Sequence, residues 1–180
     1  IDFITTYYGK NMLDIYNKIN PKYGPARADL FRYLLMYKKG GVYLDIKSGM
    51  NKSLNEIITE ETFYLAHWPG KEWSEEFPPN GEFQNWWIIS PPGHPFIKNV
   101  IDKVSKNILN CNYNDKTGKI GVLHITGPLA YTEAILEVLN KYKHKIYNTG
   151  DELGFKYNNI EGHEWGDHIK LFKKHYTTLT

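Results

Sequence analysis

Three charged side chains stand in the first quarter of the chain in an order that suits work on an anion: Asp29, Arg32 and Asp45. Asp29 and Arg32 are three residues apart, so on a helix both project from one face, off the apolar stripe. That spacing reads equally as a surface ion pair, worth about 0.3 to 0.5 kcal/mol, and as half of a ligand site. Asp45 lifts the second reading, because it falls at or near the C-terminal end of a short strand, where open α/β sheets collect ligands. A carboxylate there can hold a hard divalent cation, which keeps several waters and takes its other ligands from phosphate. Such a cation stabilises a departing diphosphate as a Lewis acid. An arginine beside it meets phosphate or carboxylate oxygens with a planar fork, and a second carboxylate accepts sugar hydroxyl protons.

These residues need a helix that turns into a strand, and the surrounding pattern supplies one. Residues 26–39 are the clearest helix: Pro25 suits the entrance, Leu30, Leu34 and Tyr37 form an apolar stripe, and Gly40-Gly41 supplies the exit. Val42-Tyr43-Leu44-Asp45-Ile46 follows as a short buried strand, completing an αβ unit. Upstream, residues 2–19 read as a helix, with Ile4, Tyr8, Met12, Ile15 and Ile19 spaced three or four apart. Downstream come a strand at 63–67, a long aromatic and acidic loop at 69–81, and an extended segment at 83–90. A helix at 96–109 turns Ile97, Ile101, Val104 and Ile108 inward, Thr126-Gly127-Pro128 opens another at 129–142, and 145–148 reads as a strand. The tail from Gly150 has weak periodicity and holds His163, His168 and His175.

With 180 residues, no repeat and no linker, the chain reads as a single domain over 1–180. Its 41% hydrophobic, 23% charged and 15% aromatic content excludes disordered, collagen-like and coiled-coil chains. A formal charge of +2 offers no case for nucleic acid or an anionic membrane as the main partner. Cys111 is the only cysteine, which excludes an intrachain disulfide and a thiolate metal cluster and suits a reducing, cytoplasmic location. No apolar run approaches the roughly 18 to 20 residues of a membrane span. The chain holds only two arginines, Arg27 and Arg32, and both lie in the segment singled out above.

That segment resembles the glycosyltransferases with a DXD sugar-binding region, a group that includes yeast-type initiating mannosyltransferases and related capsular, toxin and viral enzymes. Ala26, Arg27, Asp29, Arg32, Tyr33, Tyr37, Gly40, Gly41, Tyr43 and Asp45 match the family pattern in register. Asn85-Trp86-Trp87-Ile88-Ile89-Ser90 with Pro92-Gly93-His94-Pro95 resembles the family's second block, and Thr126-Gly127-Pro128 its third. The resemblance implies an α/β fold of the GT-A type, a mixed sheet flanked by helices. It is expected to lack the N-terminal nucleotide-binding strand, since Ile1 leads directly into what looks like a later helix. The activity implied is retaining transfer of a hexose from a UDP- or GDP-sugar donor to a glycan acceptor. Asp29 and Arg32 would then contact the donor sugar, and Asp45 the ribose or a divalent Mn2+ or Mg2+ bridging the diphosphate. Arg27, Tyr43, Lys47 and Asn85 complete the expected donor-binding set, and His163, beside Trp165, is the expected further metal ligand.

One position departs from the pattern: the chain reads Asp45-Ile46-Lys47 where the family has Asp-x-Asp. Either Asp45 binds the metal with help from elsewhere, or Lys47 neutralises diphosphate charge itself, or Lys47 simply faces solvent. A sugar-nucleotide-binding module with impaired turnover is therefore a rival, and a glycoside hydrolase using Glu60-Glu61 or Glu75-Glu76 a more distant one. Asn85 reads equally as a donor contact and as a buried loop anchor, and His94 as structural. Trp68, Trp73, Trp86 and Trp87 are candidates for a sugar platform, with Trp86-Trp87 half in the core.

Overall fold

Two helices lead the chain in the computed structural model, which describes residues 1–68, 81–111, 118–148 and 150–157. The first, α1 (Asp2–Lys18), is kinked at Gly9, and α2 (Gly24–Lys39) carries Pro25 in its first turn. Next come β1 (Gly41–Leu44), β2 (Gly49–Met50) and α3 (Leu54–Ile57), whose start is a capping box of Ser53 and Glu56. They are followed by β3 (Phe63–Ala66), β4 (Trp87–Ser90) and α4 (Pro95–Asn110). The remaining elements are α5 (Gly118–Ile125), α6 (Pro128–Leu136), β5 (His144–Tyr147) and β6 (Phe155–Lys156), with single 3₁₀ turns at Leu139–Lys141 and Gly150–Leu153.

The main sheet runs β1-β4-β3-β5, with β4 antiparallel to both neighbours and β5 parallel to β3. It is the expected mixed sheet flanked by helices. Every residue of β3 and β4 is buried, and their side chains alternate between two cores. Phe63, Leu65 and Ile88 join the helical core with Leu30, Leu34, Val100 and Val104, while Tyr64, Ala66, Trp87 and Ile89 join a smaller one with Leu153 and Phe155. On α4, Phe96, Ile97, Val100, Ile101, Val104 and Ile108 form one buried stripe at helical spacing. His94 caps that helix, its Nδ1 accepting from the Phe96 N–H at 3.2 Å, and burial lowers the imidazole to about 4.

Several boundaries differ from the sequence reading. The strand expected over 42–46 stops at Leu44: Asp45 N–H donates to Trp86 O at 2.8 Å, Ser48 N–H then closes a turn on Asp45 O, and Ile46 is fully exposed rather than buried. The extended segment at 83–90 is a strand only from Trp87, Phe83 making an isolated bridge to His67. The helix expected to reach Tyr142 ends at Leu136, because the chain must enter β5 at His144 beside Phe63. The helix α5 has no counterpart in the sequence reading: Gly118 and Gly121 lower its intrinsic propensity, and packing against α6 and α2 compensates.

The joint between α2 and β1 fixes where the site can form. Gly40 sits at φ +63° and ψ −160°, and a Cβ there would lie 2.5 Å from Pro92 N and 2.8 Å from Ser90 O. Gly9 has a similar backbone, φ +73° and ψ −175°, in open space. Alanine at Gly9 is expected to cost about 1 to 3 kcal/mol from backbone strain. At Gly40 the overlap should add about 1 to 3 kcal/mol more. Urea unfolding of the two variants measures the difference, and equal losses would mean that the Pro92 turn yields without cost.

Candidate functional site

The turn at Gly40 folds β1 back along α2, so Asp45 arrives beside Arg32 one turn and one strand later. Arg32 Nη2 stands 3.3 Å from Asp29 Oδ1 and 3.3 Å from Asp45 Oδ1, bridging helix and strand end. Its Nη1 donates to Asn85 O at 2.8 Å, and the guanidinium lies 4.8 Å from the centre of the Tyr43 ring. Tyr43 in turn donates its hydroxyl to Asp45 Oδ1 at 2.8 Å. Asp29 accepts from Thr126 Oγ1 at 2.9 Å and more weakly from Asn85 Nδ2 at 3.4 Å. Asn85 Nδ2 also donates to the Tyr33 hydroxyl at 2.8 Å, and that hydroxyl donates to Thr126 O at 3.0 Å. One network thus joins α2, the end of β1, the approach to β4 and the α5–α6 junction.

The reading of Asp29 and Arg32 as a surface ion pair is corrected: they are 5% and 6% exposed. The physical reason is that α2 is packed on several sides, by α1, α4, α5 and the sheet, so its polar face is enclosed as well as its apolar stripe. Burial pushes the Asp29 carboxyl up to about 7, against the opposing pull of Arg32, Thr126 and Asn85. At Arg32 the balance reverses: two carboxylates outweigh desolvation and hold the guanidinium charged. The pair is therefore unequal, a firmly cationic arginine serving Asp29 inside and Asp45 at the rim, where the aspartate side chain is 21% exposed. Arg32 Nε has no partner among the described residues.

Lys47 lies at the same rim, half-buried, with Nζ 4.4 Å from the centre of the Tyr157 ring. Desolvation and the Arg32 charge lower its pKa, and Asp45 raises it. Tyr157 packs on Trp86 and Trp68, at centroid distances of 5.1 and 5.3 Å, and burial with the nearby Asp45 charge raises its hydroxyl to about 12. Tyr157 was not foreseen from the sequence. It reaches Lys47 through the two-residue β2–β6 ribbon, Gly49 opposite Lys156 and Met50 opposite Phe155, a pairing too short to leave a pattern.

Of the expected donor-binding set, Asp29, Arg32, Tyr43, Asp45, Lys47 and Asn85 are thus brought into one region. Arg27 is not: its Nε donates to Ile19 O at 3.0 Å and its guanidinium stacks on Tyr16, tying α2 to the end of α1. His163, with Trp165, His168 and His175, lies outside the described residues, as do Trp73, Glu75 and Glu76. Trp86 and Trp87 are both in the core rather than half in it, at 5% and 1% exposure, Trp87 donating to Gln84 Oε1. Glu60, considered for a hydrolase pair, is tied up by Lys143 and Lys145 at the surface.

The Mn2+ or Mg2+ that an Asp-x-Asp pair holds does not fit the described residues by themselves. No group of three or more His, Cys, Asp or Glu among them could ligate a metal. Asp45 offers one carboxylate, with Oδ1 already engaged by Tyr43 and Arg32, and an ammonium stands where the second carboxylate would be.

The resemblance seen in the motifs is borne out by comparison with known proteins. Residues 1–64 match the family described as a glycosyltransferase sugar-binding region containing DXD motif. An initiation-specific alpha-1,6-mannosyltransferase of Schizosaccharomyces pombe is 30% identical over 125 residues, covering 63% of this chain and 32% of that protein. Inositol phosphoceramide mannosyltransferase 3 of the same organism is 32% identical over 107 residues, covering 59% of this chain and 26% of its own. The chain therefore spans about a third or less of the length of these curated relatives. Among solved structures, the PaToxG glycosyltransferase aligns with a TM-score of 0.56 over 78% of this chain and 46% of its own, at 19% identity. That likeness shows a shared fold, in keeping with the mixed, helix-flanked sheet. Among the described residues no helix is long and apolar enough to cross a membrane.

Two outcomes follow from the buried charges. Arg32→Met strands two carboxylates and is expected to cost about 3 to 5 kcal/mol in urea unfolding; a loss under 1 kcal/mol would mean that water reaches them. Asp29 titrates near 3.8 when unfolded and about 7 when folded. Between those values the folded chain keeps a proton that the unfolded chain has released, so this contribution is greatest in acid and declines as pH rises from about 4 to about 7. The difference in unfolding free energy between the native chain and Asp29→Asn, followed from pH 4 to 8, should slope across that window, and a flat difference would show Asp29 ionised throughout.

Proposed function

We propose that the chain is a glycosyltransferase domain, acting as one unit of 180 residues, that transfers a hexose from a UDP- or GDP-sugar to a glycan hydroxyl with retention of configuration. The observation that carries this reading is the Asp29–Arg32–Asp45 bridge at the end of β1, lying in the region that matches the sugar-binding family. Two curated proteins to which the chain is similar are named as mannosyltransferases.

Chemically, the arrangement suits positioning more than proton transfer. Arg32 is immobilised by two carboxylates, the Asn85 carbonyl and the Tyr43 ring, so Asp45 is held at the rim with its orientation set before any ligand arrives. Asp45 retains Oδ2 for hydroxyl groups of the donor, and a fixed acceptor there needs no reorganisation when the donor binds. Lys47 beside it offers positive charge to the diphosphate, which becomes more anionic as the sugar–phosphate bond breaks. No described side chain is assigned as a general base; in a retaining transfer the acceptor hydroxyl proton can pass to the diphosphate oxygen released as the sugar–phosphate bond breaks.

A second reading has its own observation: the lysine at position 47 in place of a carboxylate also suits a module that binds sugar nucleotides without turning them over. Titration with UDP- and GDP-hexoses, followed by assay for released hexose, separates the two. Binding with slow donor hydrolysis supports the transferase, and binding with no turnover supports the module. Asp45→Asn should weaken donor binding by about tenfold or more, a loss on the order of 1.4 kcal/mol, with an unchanged circular dichroism spectrum. Unaltered affinity in that variant would remove Asp45 from the site.

A further inference from the structure

We propose that Lys47, held against Tyr157, forms a metal-independent subsite for the donor diphosphate, its ammonium supplying the positive charge that a divalent cation brings to an Asp-x-Asp pair. The proposal rests on the transferase reading above and makes it more specific. Charge balance is the first reason. Replacing a carboxylate by an ammonium changes one position by two unit charges, the charge of a divalent ion. The rim and its support hold two carboxylates, Asp29 and Asp45, against one guanidinium and one ammonium, Arg32 and Lys47. That set is already neutral with Asp29 ionised. With aspartate at position 47 it would carry two negative charges and would need a divalent cation to accept a diphosphate.

The donor set is the second reason. A cation seated on Asp45 would meet the Arg32 guanidinium, 3.3 Å from the same carboxylate, and the Lys47 ammonium close by. Both repel it through a partly desolvated medium where charges are poorly screened. Asp45 Oδ1 is also committed to the Tyr43 hydroxyl. The groups that attract a metal in an Asp-x-Asp site are here replaced or occupied, whereas those that attract phosphate oxygens are present.

The third reason is how Lys47 is held. Its Nζ rests 4.4 Å from the Tyr157 ring centre, and among the described residues it makes neither a hydrogen bond nor an ion pair. An ammonium that is half out of water with an aromatic face on one side has its N–H donors left to serve an incoming anion. Tyr157 is itself braced by Trp86 and Trp68 and by the β2–β6 ribbon, so the lysine has a built support rather than a free surface. Tyr157 is on this account a positioning residue for Lys47.

Calorimetric titration of the full chain with UDP and GDP, in EDTA and in Mn2+, tests the proposal. The native chain should bind one of them with affinities in the two conditions that agree within about threefold. Lys47→Met should weaken binding by about tenfold or more in both conditions, with near-ultraviolet circular dichroism unchanged. Lys47→Asp, which restores the Asp-x-Asp pair, should bind weakly in EDTA and recover about tenfold on adding Mn2+. Native binding that collapses in EDTA and returns with Mn2+ would overturn the subsite while leaving the transferase reading standing, as would unchanged affinity in Lys47→Met. Failure of both nucleotides to bind the native chain in either buffer would overturn the subsite and the transferase reading together.

Discussion

A guanidinium taken out of water must be surrounded by acceptors, and the way Arg32 meets that requirement organises much of this molecule. Its partners come from four places: Asp29 on its own helix, Asp45 just past β1, the Asn85 carbonyl before β4, and the Tyr43 ring within β1. Each has to be in place for the others to be tolerable, because a buried charge with half its partners costs more than an apolar side chain there. Asp29 extends the demand further, through Thr126 to the start of α6 and through Asn85 to Tyr33. Asp45 is thereby held at the rim by a guanidinium that is itself fixed from several directions.

The rim itself depends on the chain leaving the sheet at the right residue. The ladder between β1 and β4 runs in register from Gly41 opposite Ser90 to Leu44 opposite Trp87, and the Asp45 amide makes one further bond to Trp86 O. The turn closed by Ser48 then lifts Ile46 into solvent and brings Lys47 back over Tyr157. Had the strand continued through Ile46, as its β-branched sequence suggests, Lys47 would have been carried on along the edge of the sheet instead of back toward Tyr157.

What the sequence revealed follows the range of the interactions involved. The αβ unit, the α4 stripe and the nearness of Asp29, Arg32 and Asp45 are written in spacings of a few residues, and they were readable. The enclosure of Asp29 and Arg32 was not, since it arises from helices and strands packed on several sides of α2, and a period of 3.6 reports only one of those sides. Arg27 was grouped with Arg32 by position, yet five residues on a helix turn it toward the Ile19 carbonyl instead. Asn85 kept two readings open because an amide can serve backbone, side chain or ligand, and only the neighbours of its Nδ2 showed that Asp29 and Tyr33 claim it. Tyr157 was beyond reach, delivered by a ribbon of two residue pairs.

The same ribbon has a consequence for how the chain is made. Thr126 meets Asp29 across 97 positions, and Tyr157 meets Lys47 from still farther along the chain. As the polypeptide emerges from a ribosome, α1 and α2 can form early, but the partners that make Arg32 and Asp29 bearable arrive one after another and the brace for Lys47 arrives last. Such long closures are slow steps, and the order of synthesis makes them late ones. Until Tyr157 has been translated, Lys47 lacks the aromatic face it rests on, and the rim beside Asp45 is completed only when that later segment folds back to it.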